Sequence, residues 1–130
     1  MGKRSTSRRL AIQILYQMEL SATSLEDACE AAFANTKYID DTISFAKELA
    51  DNVWKNLAEI DPIIDKQATG WRLERLNIID KSILRLGVYE LLFAKDLPKN
   101  IIIDEAVELA KSYSDPEATK FVNGILGGLG

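Results

Sequence analysis

The sequence predicts an all-α protein of about seven helices. Apolar residues recur at steps of three and four along almost the whole chain, and no stretch of four or more alternates as a half-buried strand would. Helix punctuation at Ser24, Pro62 and Asp115-Pro116 falls between the periodic segments. Residues 1–130 read as a single domain, because 130 residues that are 47% hydrophobic can bury one sizeable core and are few for two independent ones. Gly70 is the nearest thing to a midpoint, so residues 1–69 and 70–130 are expected to be two helical halves, small bundles that share one core.

Ser5, Thr6 and Ser7 can cap a first helix whose core face is Ala11, Ile14, Leu15 and Met18 and which ends near Ser21. Ser24 starts a second, with Asp27 three residues on as a short capping box, running through Ala28, Ala31 and Ala32 towards Asn35. In the third, Ile43, Ala46, Ala50, Val53, Leu57 and Ile60 keep helical steps, Phe45, Leu49 and Trp54 widen the stripe, and Pro62 marks the end. A short fourth helix is expected from Pro62 to Ala68, stopped by Gly70, with Trp71, Leu73 and Leu76 anchoring the linker that follows.

The fifth helix, around Ile78 to Ala94, is apolar over much of its circumference and is expected at the centre. Gly87 lies inside it, where glycine costs about 1 kcal/mol relative to alanine; close approach of another helix would offset that. Pro98 precedes a sixth helix with Ile103, Ala106, Val107 and Ala110 on its core face. The seventh has Asp115 as cap, Pro116 at the first helical position and Glu117 where an acid suits the dipole. It carries Phe121, Val122, Ile125 and Leu126, and the terminal "GGLG" is expected to fray.

Charge is divided unevenly. The net charge is −4, yet Lys3, Arg4, Arg8 and Arg9 crowd the first nine residues without an acid, leaving 12 basic against 20 acidic residues in the remainder. Such a split suggests a localised site for an anionic partner. Cations in a first turn oppose the helix dipole at roughly 0.3–1 kcal/mol each, so behind a cap at Ser5–Ser7, Arg8 and Arg9 stand where stability alone would place acids. With the free amides of a helix start they form a place where phosphate can bind, and Arg9, Gln13 and Gln17 continue along one face. The alternative, on charge alone, is a solubilising basic tail without a ligand.

A second candidate is "SDPEATKFVNGIL", where Lys120 and Asn123 share a helical face beside Phe121. A base can stack on an exposed ring while Lys120 meets phosphate and Asn123 hydrogen-bonds, a combination suited to single-stranded RNA. The alternative is a core phenylalanine with a solvated lysine.

Enzymatic chemistry finds little support. The absence of histidine removes the usual general base and the commonest metal ligand. No phosphate-cradling loop, zinc spacing or dinucleotide fingerprint occurs. Asp104 and Glu108 read as a solvated acidic face, and Arg85, Glu90 and Glu105 as an ion-pair network between the fifth and sixth helices. Catalytic residues, metal sites and cofactors are therefore not expected. Cys29 is the only cysteine and reads as a small buried or half-buried residue; with no secretory signal and no apolar run near the roughly 18 residues of a membrane span, a cytoplasmic protein is expected.

Three stretches, "SRRLAIQILYQMEL", "GWRLERLNIIDKSILRLGVYELLFAKDLPKNIIIDEAVELAKSY" and "TKFVNGIL", together resemble the NusB transcription antitermination factors of bacteria. The ordered series W-x-L-E-R-L, L-R-x-x-x-Y-E-L, E-A-V-E-L-A-K and K-F-V-N-G-I-L carries the likeness. It implies two three-helix bundles packed across each other. It also implies a factor that pairs with NusE, a small-subunit ribosomal protein, to bind boxA RNA and, with NusA, NusG and RNA polymerase, to support ribosomal RNA transcription. Carried over, RNA binding falls on Lys3, Arg4, Arg8, Arg9 and Gln13 and on Glu117, Lys120, Phe121 and Asn123, and the NusE-facing surface on Tyr16 and Asp80.

Ser5, Thr6 and Ser7 interrupt the basic cluster where relatives often have a denser arginine run, Gly127 replaces an acid after "NGIL", and Asp104 stands where asparagine is more usual. Competing expectations are a purely protein-binding helical module and the NusB-like accessory domain of a ribosomal RNA methyltransferase, the latter disfavoured by a chain ending at Gly130. Exposed apolar residues such as Ile12 or Leu20 can serve a homodimer or the NusE contact. Replacing Arg8 and Arg9 by alanine is expected to weaken RNA binding with the fold intact or slightly more stable.

Overall fold

The computed structural model describes residues 3–34, 40–68, 76–95 and 97–129. Every regular element among them is helical: α1 (Lys3–Ser21), α2 (Leu25–Phe33), α3 (Asp40–Lys55), α4 (Leu57–Gln67), α5 (Ile78–Val88), α6 (Lys99–Tyr113) and α7 (Pro116–Gly127), with α5 continuing as a π-helical segment, Tyr89–Ala94. The roles expected of Asn35, Gly70, Trp71 and Leu73 fall outside the described residues. None of the described helices is long and apolar enough to cross a membrane. The chain forms two compact units, Met1–Lys55 and Asn56–Gly130, so α4 belongs with the helices that follow it rather than with those before Gly70.

In the first unit α1 packs along α3, and α2 packs on both. The Ser24 hydroxyl caps α2 by accepting from the Asp27 amide at 3.1 Å, as its spacing indicated. The start of α1 differs from the expectation. The helix is already formed at Lys3, so Ser5, Thr6 and Ser7 lie within it, and the buried Ser7 hydroxyl donates to the Thr42 carbonyl of α3 at 3.0 Å. A serine that satisfies itself on a neighbouring helix has no need to cap its own. Leu10 and Ile12 are buried together with the expected Ala11, Ile14, Leu15 and Met18; Ile12 is therefore not an exposed contact residue, while Leu20 is 54% exposed.

The break after α3 comes at Asn56 (φ −107°, ψ 13°), ahead of Pro62, whose ring lies on the exposed side of α4. An asparagine leaving helical geometry ends the segment before the proline can. In the second unit α5 is the hub, touching α4, α6 and α7. Its Gly87 allows the close approach that its position suggested: a β-carbon there would stand 2.7 Å from Cδ1 of the buried Leu126 of α7. Arg85, 6% exposed, pairs in two-pronged fashion with Asp61 of α4, Nε to Oδ1 and Nη2 to Oδ2 both at 2.9 Å. That tie to α4 was not foreseen in the network expected with α6.

α6 is rotated from its expected phase, burying Ile102 and Leu109 with Ala106 and Ala110 while Ile103 and Val107 are only half-buried. Three consecutive isoleucines, Ile101 to Ile103, offer apolar side chains through some 200° of the helix and leave its phase undetermined. The chain end is also more ordered than expected. Leu129 is buried, its amide donates to the Leu126 carbonyl, and the Lys99 ammonium donates to the Gly127 and Leu129 carbonyls, satisfying groups that α7 leaves open.

Candidate nucleic-acid interface

The basic residues of the first unit share a helix but not an environment. Because α1 begins at Lys3, Lys3 and Arg4 occupy the first turn, and Arg8 and Arg9 lie in the second. The dipole penalty expected for Arg8 and Arg9 thus falls on Lys3 and Arg4 instead. Arg4 is exposed, and its guanidinium carbon lies 3.7 Å from the centroid of the Phe45 ring of α3. Arg8 is 3% exposed, so its guanidinium is part of the packed structure rather than a free surface cation. Arg9 is half-buried, Gln13 exposed and Gln17 half-buried, which leaves the Arg9–Gln13–Gln17 stripe at the surface as its spacing indicated. Tyr16 is half-buried on the same helix.

In the second unit the first turns of α5 and α7 converge on a cavity of about 330 Å³. Asn77 caps α5 by accepting from the Asp80 amide at 2.8 Å, and Asp115 caps α7 by accepting from the Ala118 amide at 2.8 Å. Both caps line the cavity, with Asp80, Glu117 and Phe121 and the apolar Leu76 and Ala118. Asp80 is 8% exposed, and its Oδ1 has no hydrogen-bond partner among the described residues. Burial pushes its carboxyl above the usual aspartate range; hydrogen bonding from Ser114 and, more weakly, Asn77 pulls it back, and the neighbouring Asp115 charge adds to the rise. A desolvated carboxyl beside two more acids in a recess is suited to a cationic group entering from outside.

The structure therefore brings together Asp80, expected to face a protein partner, with Glu117 and Phe121, expected to face RNA. Phe121 is neither core nor free; it is half-buried in the cavity wall, one turn after Glu117. Lys120 and Asn123 are both exposed on α7. Asn77, Ser114 and Phe45 were missed from the sequence. The first had a legible signal, an asparagine three residues before an aspartate at a helix start. Phe45 had none, since a ring on an amphipathic stripe reads as core. No group of three or more metal-ligating side chains is assembled among the described residues.

The model of the NusB family matches residues 5–129. A transcription antitermination protein NusB from Myxococcus xanthus is 42% identical over 130 residues, covering 97% of this chain and 93% of its own. Among solved structures, NusB from T. maritima aligns with a TM-score of 0.86 at 37% identity, over 98% of this chain and 89% of that one. A crystal structure of the antitermination factors NusB and NusE in complex with dsRNA aligns with a TM-score of 0.86 at 33% identity, over 98% and 95%. A match of this length, through both helical units and with helices throughout, has one reading: the chain belongs to the NusB family of transcription antitermination proteins, which are not enzymes.

Proposed function

We propose that this protein binds boxA-type single-stranded RNA together with NusE and thereby supports ribosomal RNA transcription in a polymerase complex that also holds NusA and NusG. It works in the cytoplasm by binding and tethering, without making bonds. The observation that carries the reading is the gathering of exposed and half-exposed basic and amide groups on α1 of an otherwise acidic chain. Lys3, Arg4, Arg9 and Gln13 meet RNA from α1, and Arg8 adds positive charge from beneath that surface. On α7, Lys120 and Asn123 meet phosphate and base edges beside Phe121, and Glu117 flanks the same strand. Tyr16 and Asp80 face NusE, and the acidic recess around Asp80 fits a basic side chain of that partner.

The test is fluorescence anisotropy of a boxA-like RNA, a scrambled strand and a duplex of the boxA sequence, with and without NusE, across a salt series. Sequence-selective binding of the single strand, tightened by NusE and weakened by salt with a log–log slope of about −0.7 per phosphate contact, is the expected result. Equally feeble binding of all three RNAs with NusE present would instead favour a protein-binding module, and preference for the duplex would replace the single-strand reading.

A further inference from the structure

We propose that Phe45 of α3 is a positioning residue for RNA, holding the guanidinium of Arg4 so that its outer face and edge N–H groups are presented to a base and a phosphate. This rests on the reading of α1 as an RNA-facing helix. Two contacts fix the first turn of α1 on α3. The Ser7 hydroxyl reaches the Thr42 carbonyl at 3.0 Å, and three residues earlier on α1 and three later on α3, Arg4 lies over Phe45 at 3.7 Å. Steps of three along both helices in opposite senses are what an antiparallel pair places side by side.

The stability of α1 does not ask for an arginine there. Its first turn holds no acid, and a cation in that turn opposes the dipole. The ring supplies an attraction that offsets the penalty and holds a side chain that would otherwise sample many rotamers. Such ordering in advance raises affinity by reducing the entropy lost on binding. Arg8, 3% exposed, is committed to the interior, so Arg4 is the arginine of the first two turns that is fully open to a ligand. With its guanidinium carbon 3.7 Å from the Phe45 ring centroid and the side chain exposed, the part of the guanidinium turned away from the ring is left for a nucleobase, and unpaired bases stack on such planes.

Binding of boxA-like single-stranded RNA in the presence of NusE provides the test. Phe45→Leu, which keeps apolar bulk and loses the π face, is expected to weaken binding about two- to fivefold, the range of an exposed cation–π contact. Phe45→Tyr is expected to bind as the unaltered protein does, and Phe45→Leu is expected to add nothing once Arg4→Ala is present. Unchanged affinity for Phe45→Leu, or the same loss with and without Arg4, would overturn the proposal.

Arg4→Lys covers the case in which Phe45→Leu loosens the helix pair. Charge is kept while the planar stack is lost, so weaker binding at an unchanged salt slope is expected, and full affinity would count against the proposal. Failure of the unaltered protein to bind any RNA would sink the functional reading itself, and this inference with it.

Discussion

At the start of α1, Lys3 and Arg4 oppose the helix dipole and Arg4 stands in solvent; at the starts of α5 and α7, Asp80 and Glu117 agree with the dipole, yet Asp80 is buried with an oxygen that no described group satisfies. Each region gives up some stability, by opposite routes. The basic turn gives it up in long-range electrostatics, which are weak in water and offset by the Phe45 ring of α3. The acidic recess gives it up in desolvation, a short-range penalty that a neighbouring side chain recovers only in part. A site of the first kind suits a flexible polyanion met at the surface. One of the second kind suits a single cation that enters and is dehydrated.

The largest expected effect separates two arginines of the same helix. Arg8→Ala removes a buried guanidinium and the packing of its stem, and is expected to destabilise the protein by about 2–3 kcal/mol. Arg4→Ala, exposed in the first turn, is expected to change stability by less than about 0.5 kcal/mol while weakening RNA binding. Thermal or urea unfolding of the two variants checks this. Equal stabilities would mean that the burial of Arg8 carries no energetic weight, and that the basic cluster acts as one surface. The expectation that losing Arg8 spares the fold is corrected accordingly, because it rested on placing Arg8 in the first turn.

Within the second unit, Gly87→Ala sets the helix propensity of alanine, about 1 kcal/mol in its favour, against overpacking of about 1–3 kcal/mol. Leu126 is fully buried and cannot swing aside into solvent, so net destabilisation of about 1 kcal/mol is expected. A rise in melting temperature would show that α7 can withdraw from α5 at little expense. Lys99→Ala is expected to cost about 0.5–1 kcal/mol by freeing the carbonyls of Gly127 and Leu129. Hydrogen exchange should then rise at Leu129, whose amide is bonded back to Leu126.

These two units also mark how far the sequence could be read. Helix number, the caps at Ser24 and Asp115, the central place of α5 and the reason for Gly87 are local or pairwise consequences of spacing, and the structure carries them. The helix breaks were less legible. Pro62 is the strongest breaker in the middle of the chain, but the backbone turns at Asn56 and α4 runs through Pro62. The charge split pointed to α1, whereas which arginine is exposed depends on the face α1 turns to its neighbours. Nothing in the order of residues joins Asp80 to Glu117 and Phe121, since their meeting requires two helix starts 38 residues apart to converge.

The smallest expected effect bears most directly on the recess. Unfolded, Asp80 ionises near the ordinary 3.8; folded, burial makes it hold its proton to higher pH. Between those two values the native state binds more protons than the unfolded one, so whatever stability Asp80 contributes is present below 3.8 and is lost as pH rises through the folded value. The charge of Asp115, which lines the same cavity, adds to the disadvantage of ionising Asp80. Asp80→Asn keeps the shape and removes that charge. It is expected to melt above the unaltered protein at pH 7 and level with it below 3.8, while binding NusE more weakly at neutral pH. A lower melting temperature at pH 7 would mean that the carboxylate is stabilised within the fold, in which case the recess would not be kept for a cation from outside. Stability gained together with partner binding lost would mean that the acid is held there for the partner, at the expense of the isolated chain.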